Sequence, residues 1–438
     1  MRRRTGGQAD RRSKVGETGW IAGAARLGIA VLLLSAFPPS RLTAQTIAIT
    51  NATVYPVSGP KIEHGTVVMR NGRVVAVGPS VAVPAGATQV DGTGKVVTPG
   101  LFHARSTLGL SEVGSIASTN EADHTGDVNA AFNVADGLDP ATPLIPIARL
   151  EGVTTSLSGP TNGLVAGQAV LIDLAGDRVE TLVAKSPAAM VIDLSEQSKS
   201  AGGGSRAGML QRLRQLFLDA QDYDRRKNDF RKNAMQELSA SAADLEALGP
   251  VLRGELPVVA VANRESDIAS ALRLAHEFRL RLIVAGGTEA WKIADDLARA
   301  RVPVIINPIN DIPTFDGPGA RFDGAALLTR AGVPVIIIEG ETGGARNLRW
   351  AAGYAVRFGM AWDSALAAVT LNPAKALGVD DRYGSLGPGK VADVVVWSGD
   401  PLDFSSRAEH VYIRGVEVPH TSRQTELLER YRTLPPKY

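Results

Sequence analysis

Six histidines and no cysteine occur in the 438 residues, and this scarcity limits the chemistry the chain can support. Without cysteine there is no thiolate nucleophile, no disulfide and no Cys-ligated zinc or iron–sulfur centre. A bound metal would have to rest on His, Asp, Glu or a modified Lys. The histidines are scattered. His276 lies in "ESDIASALRLAHEF", where helical spacing turns it outwards, and His64, His410 and His420 fall in the β-textured ends or tail. His124 sits in the loop sequence "EADHTGD", and His103 in "LFHARSTLGL". Neither "SLSGP" nor "SGD" has the frame of a nucleophile elbow. "AGGGS" lacks the strand and lysine of a phosphate cradle and reads as a flexible loop.

The elements that would position these side chains come in two textures. Residues 46–98 alternate apolar and polar residues between turn signals such as Asn71-Gly72, a hairpin pattern. The same texture returns in "GSLGPGKVADVVVWSGDPL" and "AEHVYIRGVEV". Two short β blocks at opposite ends of the chain are expected to pair into one small domain. Between them, from residue 255 on, apolar runs ("LPVVAVAN", "LRLIVAG", "VPVIINP", "VPVIIIEG") alternate with amphipathic helical stretches. Continuous apolar strands alternating with such helices indicate a parallel sheet covered by helices, and four units fit half of a (β/α)8 barrel. Earlier, "GVTTSLSG" and "AAMVIDLS" read as strands, and residues 207–252 as a solvated, charged outer helix.

The formal charge of +2 hides an asymmetry. Residues 1–44 carry eight basic and two acidic residues, leaving 39 basic against 43 acidic in the remainder. A mildly acidic body gives no reason to expect nucleic acid as a partner. The basic start, the apolar run from Leu27 to Phe37 and the small-residue exit at Thr43-Ala44 read as an export signal. Spanning a bilayer needs about 20 apolar residues. The expectation is cleavage near Ala44 and a periplasmic or cell-envelope location, with a retained anchor as the alternative.

Two stretches carry a family resemblance. "VVTPGLFHARSTLGL" at 96–110 resembles the first-strand motif of the amidohydrolase superfamily, especially its imidazolonepropionase-like members. "TLNPAKALGVDDRYGSLGPGKVADVVVWSGDPLD" at 370–403 resembles the family's C-terminal signature. The resemblance extends from residue 46 to about 420. It implies an α/β fold: a (β/α)8 TIM-like barrel over 99–383, and a small composite β-sandwich formed by both chain ends (46–98 plus 384–420). A C-terminal tail (421–438) would follow. It also implies hydrolysis of non-peptide C–N bonds, assisted by zinc or another divalent metal that acidifies a water and polarises the substrate.

Carried across position by position, the family's metal ligands are missing. Its Asp-Ala-His-x-His stretch falls on His103-Ala104-Arg105-Ser106-Thr107, so the two ligand positions are Arg105 and Thr107. His-Ala-His after the fifth strand becomes Val261-Ala262-Asn263, and Glu-His-Gly after the sixth becomes Ala285-Gly286-Gly287. The Asp after the eighth falls on Gly340, flanked by Glu339 and Glu341, and a slip of one residue would put Glu341 there. "AAMVIDLS" offers no Lys for a bridging carboxylate. A guanidinium has no lone pair to give a metal and leaves a fixed positive charge where a dication would sit. The expectation is therefore a family member without catalytic residues, metal or cofactor. Its barrel-mouth pocket would be lined by Arg105, Thr107, Asn263, Glu339 and Glu341, with Arg105 paired to Glu339 or Glu341. Such a pocket suits a small polar or anionic ligand, and the protein is expected to act as an exported binding or partner subunit, alone, as a homo-oligomer or beside an active paralogue. Two alternatives stand: an active hydrolase with a rebuilt site, in which His103, Asn263 and the two glutamates would hold a hard ion weakly, and a purely structural envelope component.

Overall fold

The computed structural model describes residues 45–227 and 238–433. The export-signal expectation for residues 1–44 lies outside them. Sixteen strands form two eight-stranded sheets among the described residues.

The first sheet joins the two ends of the chain. Its N-terminal strands are β1 (Thr46–Val54), β2 (Ile62–Arg70), β3 (Arg73–Gly78), β4 (Thr88–Asp91) and β5 (Val96–Pro99). Its C-terminal strands are β14 (Val394–Trp397), β15 (Ala408–Ile413) and β16 (Val416–Glu417). The order is β16-β15-β14-β5-β1-β2-β3, with β4 also on β1. β5 is the joint, parallel to β1 on one side and antiparallel to β14 on the other. Asn71 and Gly72 turn the β2–β3 hairpin with φ of 52° and 74°, the left-handed pair an Asn-Gly signal predicts.

One residue after β5 the chain enters the barrel as β6 (Leu101–Ser106). The strands β7 (Val153–Ser158), β8 (Val165–Asp173), β9 (Val183–Asp193), β10 (Val258–Ala262) and β11 (Leu282–Gly286) follow, and then β12 (Val304–Ile306) and β13 (Val335–Ile337). They hydrogen-bond in sequence order, forming a TIM-like barrel. Its interior is filled by Phe102, Leu157, Leu171, Val259, Ile283, Ile305 and Ile336, a packed core rather than a channel. From β10 to the helix Leu348–Arg357, the strands and helices follow the sequence reading, the helix Glu265–Phe278 to the residue.

The first half departs from eight identical units. β8 was not legible in the sequence, and it runs antiparallel to both β7 and β9. The cause is the connection, since residues 159–164 are too few for a crossover to a parallel strand, which takes a dozen or more. The stretch from residue 207 also differs from expectation. The helix Arg206–Arg225 is half-buried rather than solvated: Met209, Leu213, Leu216 and Phe217 pack inwards, Phe217 meeting Phe278 edge-on at 5.1 Å. Within the expected tail, Ser422 caps a helix, Arg423–Tyr431, that buries none of its residues.

The two sheets meet at Trp397, which is fully buried and donates its indole N–H to Thr98 Oγ1 at 2.9 Å. Gly152, just before β7, sits against that ring with φ of 80°. A Cβ there would press into the indole and hold an L-residue in left-handed backbone. Gly152→Ala is expected to lower unfolding free energy by about 3 kcal/mol, read by urea denaturation. A loss below about 0.5 kcal/mol would mean that the seam is loose.

Candidate functional site at the barrel mouth

The barrel closes without a strand ladder between β6 and β13. Side chains and loops bridge the gap instead. His103, on β6, is fully buried, and its Nε2 lies 3.1 Å from the carbonyl oxygen of Glu339 and 3.4 Å from its backbone nitrogen. Burial pushes the imidazole down to about 4, so it stays neutral at physiological pH. Beyond the strand, the Thr107 N–H donates to the carbonyl of Glu341 at 2.7 Å, and the Thr107 hydroxyl donates to Thr342 Oγ1 at 3.1 Å. His103 and Thr107 thus fasten the seam.

Above the seam, Arg105 Nη1 and Glu341 Oε1 form an ion pair at 2.6 Å. Both line a cavity of about 290 Å³ together with Asn263, Thr288, Asn307, Asn310 and Asp311. Of the two glutamates open for pairing with Arg105, it is Glu341 that takes it. Glu339 turns away: its Oε2 accepts from Asn347 Nδ2 at 3.2 Å, and it is not among the residues lining the cavity. Burial raises the Glu339 carboxyl above its ordinary range. The expectation that five residues share one pocket is therefore corrected. Arg105, Asn263 and Glu341 line this cavity, Thr107 lines only a narrow cleft beside it, and Glu339 lines neither.

Asn263 is held from both sides. Its Nδ2 donates to Asp316 at 2.9 Å, and its Oδ1 accepts from the Thr288 hydroxyl at 3.3 Å. Asp316 is itself gripped by Arg206 Nη2 at 2.8 Å, and the same guanidinium binds Asp267 at 2.8 Å and Glu196 at 2.9 Å. The outer helix that begins at Arg206 thereby fixes an amide at the mouth. His124 is exposed and packs on Phe132 at 5.0 Å, and His276 is exposed on its helix.

Sequence reasoning missed Thr288, Asn307, Asn310 and Asp311. Three of these belong to "NPIND", which directly follows β12. An Asn/Asp-rich loop at the C-terminal end of a barrel strand stands where barrel sites are built, and that placement was the available signal.

The amidohydrolase family's sequence profile matches residues 323–422. The crystal structure of an amidohydrolase from Thermotoga maritima is 32% identical, with a TM-score of 0.78, and the match covers 86% of this chain and 100% of that one. The chain belongs to the amidohydrolase family of hydrolases. Amidohydrolase tasK of Hapsidospora irregularis is 26% identical over 389 residues. The imidazolonepropionase of Hahella chejuensis is 46% identical over 63 residues. These matches span 80% of this chain but 39% of the length of tasK, and 14% of both this chain and the imidazolonepropionase.

Within this amidohydrolase, the side chains at the family's ligand positions do not fit a divalent ion. Arg105 is a cation, Thr107 is spent on the seam, Asn263 is a neutral amide already bonded to Asp316 and Thr288, and Gly286 and Gly340 present no side chain. Among the described residues, no three His, Asp or Glu are grouped so as to hold a metal.

Proposed function

We propose that this amidohydrolase-family protein has given up metal-assisted hydrolysis and uses its barrel mouth to bind a small polar ligand, acting as an exported binding or partner subunit. One observation carries the reading: the 2.6 Å Arg105–Glu341 pair, placed where the family motif would put a metal ligand. A guanidinium held at that point repels a dication, and its carboxylate partner is already engaged. The family's water activation then has no ion to work through. A cavity of about 290 Å³ lined by amides, a hydroxyl, the Arg105–Glu341 ion pair and the Asp311 carboxyl suits a polar ligand and disfavours a strongly anionic one. The sequence of residues 1–44, with its basic start and short apolar run, supports export.

Metal analysis by mass spectrometry on the purified full chain is expected to find well under one zinc, manganese or iron per chain. Added zinc should not raise the thermal midpoint, because only a ligand that favours the native state can raise it. Stoichiometric metal, or hydrolysis of dipeptides and N-acyl amino acids that appears on adding metal, would overturn this function.

A further inference from the structure

Asp311 is the charged group of the mouth that nothing answers. It lines the cavity, is 4% exposed, and its Oδ2 has no hydrogen-bond partner. Both nearby guanidiniums are committed elsewhere. Arg105 is paired with Glu341, and Arg321 grips Asp323, giving Asp311 only its backbone N–H. Asp323 adds a negative charge close by. Gly324 packs against Oδ2, and a Cβ there would come within 3.1 Å of it. The remaining polar groups lining the cavity are neutral: Asn263, Thr288, Asn307 and Asn310. A buried carboxylate without a counter-charge either takes up a proton or waits for a cation. Burial accordingly pushes this carboxyl up to about 7.

We propose that Asp311 is the recognition group of the mouth, and that the ligand presents a protonated nitrogen, an ammonium or amidinium, to its carboxylate. This rests on the mouth being a binding site, and it names the class of ligand. The cation would complete the one charge the protein leaves unpaired in this cavity. The neutral amides would hold the ligand's uncharged part, and Arg105, already neutralised, would neither attract nor repel it strongly. Binding of the cation displaces the Asp311 proton whenever that proton is present, so affinity falls as pH drops below about 7.

Ligand-observed NMR on the full chain tests this with n-butylammonium and benzamidinium against their neutral isosteres, n-butanol and benzamide. Near pH 8 the cations are expected to bind at least about tenfold more tightly, as a charge-assisted hydrogen bond does against a neutral one. Asp311→Asn should erase that preference. In the unmodified protein the preference should also shrink as the pH is lowered from about 8 to about 5.5, a readout that needs no variant. Neutral probes that match the cations, cations that do not bind, a preference that survives Asp311→Asn, or one indifferent to pH would each overturn the assignment. Metal content read on the same samples keeps the two ideas apart: bound zinc would remove the metal-free function without touching the Asp311 result.

Discussion

Near pH 8 the Asp393→Asn variant is expected to be more stable than the parent protein by about 2 kcal/mol, while near pH 5 the two should unfold at nearly the same urea concentration. Asp393 is buried just ahead of β14, where the shared sheet meets the barrel. Its Oδ1 accepts the backbone N–H of Arg414 at 2.9 Å, and its Oδ2 accepts the Thr155 hydroxyl at 3.2 Å. Asp173, equally buried, accepts from Arg414 Nε at 2.8 Å and from the Tyr383 hydroxyl at 3.2 Å. Burial first, and the Asp173 charge second, push Asp393 up to about 8. Burial raises Asp173 as well. One guanidinium thus serves two carboxyls that cannot both ionise cheaply. The sign follows from proton counting. Between the unfolded carboxyl's value near 4 and the folded value, the native state holds a proton that the unfolded state has lost. Stability is therefore full below about pH 4 and drains away as pH rises towards 8. Asparagine keeps an oxygen for the Arg414 N–H, gives Thr155 an amide to accept from, and never ionises. Urea titrations at three pH values give the slope. Parallel curves for parent and variant would show that Asp393 is not the group that titrates.

The Arg349→Ala variant should lose about 3–4 kcal/mol of stability, with a fall in urea midpoint and little change in its denaturant slope. Arg349 lies on the helix Leu348–Arg357 that follows β13, and it is 3% exposed. Its Nε meets Glu151 at 2.9 Å, Nη1 donates to the Asp403 carbonyl at 2.9 Å, and Nη2 donates to the Ser406 carbonyl at 3.0 Å. The guanidinium also lies over the rings of Trp350 and Trp397, at 4.7 and 5.8 Å. One side chain thereby holds three separate stretches of chain: residue 151, the helix Leu348–Arg357, and the loop between β14 and β15. Alanine would strand the carbonyls of Asp403 and Ser406, the second of them buried, and a partly buried carboxylate, and open a void beside an indole. Arg349→Lys keeps the charge without the planar fork and should recover less than half of the loss. An alanine variant within about 0.5 kcal/mol of the parent would mean that water replaces the whole network.

The alternation of Val/Ile runs with amphipathic helices after residue 255 was enough to place half the barrel, because parallel strands covered on both faces are apolar throughout and their helices carry a stripe. Asn71-Gly72 gave its hairpin for an equally local reason. β8 was hidden because "VAGQAVLID" is buried on both faces yet interrupted by Gly167 and Gln168, so neither alternation nor an unbroken apolar run marks it. At the site, the loss of imidazoles was legible from residue identity alone. The choice of Glu341 over Glu339 was not, since it depends on which way two carboxylates two residues apart turn at the end of a strand. Asp311 was invisible for a related reason: what singles it out is an Oδ2 without a hydrogen-bond partner and a carboxyl without a counter-charge in the folded chain, and no pattern of residue types encodes that.

β5 pairs with β1 on one side and β14 on the other, and roughly 300 residues of sequence separate the two halves of that joint. During synthesis, the free edge of β5 leaves the ribosome long before the strand that covers it has been translated. Until residues 394–397 emerge, this edge can bond to any extended segment within reach, including the same edge of a neighbouring nascent chain. The step that completes the small sheet is therefore among the last events of biogenesis, and a ribosome that stalls inside the barrel releases a product with an unpaired, aggregation-prone edge.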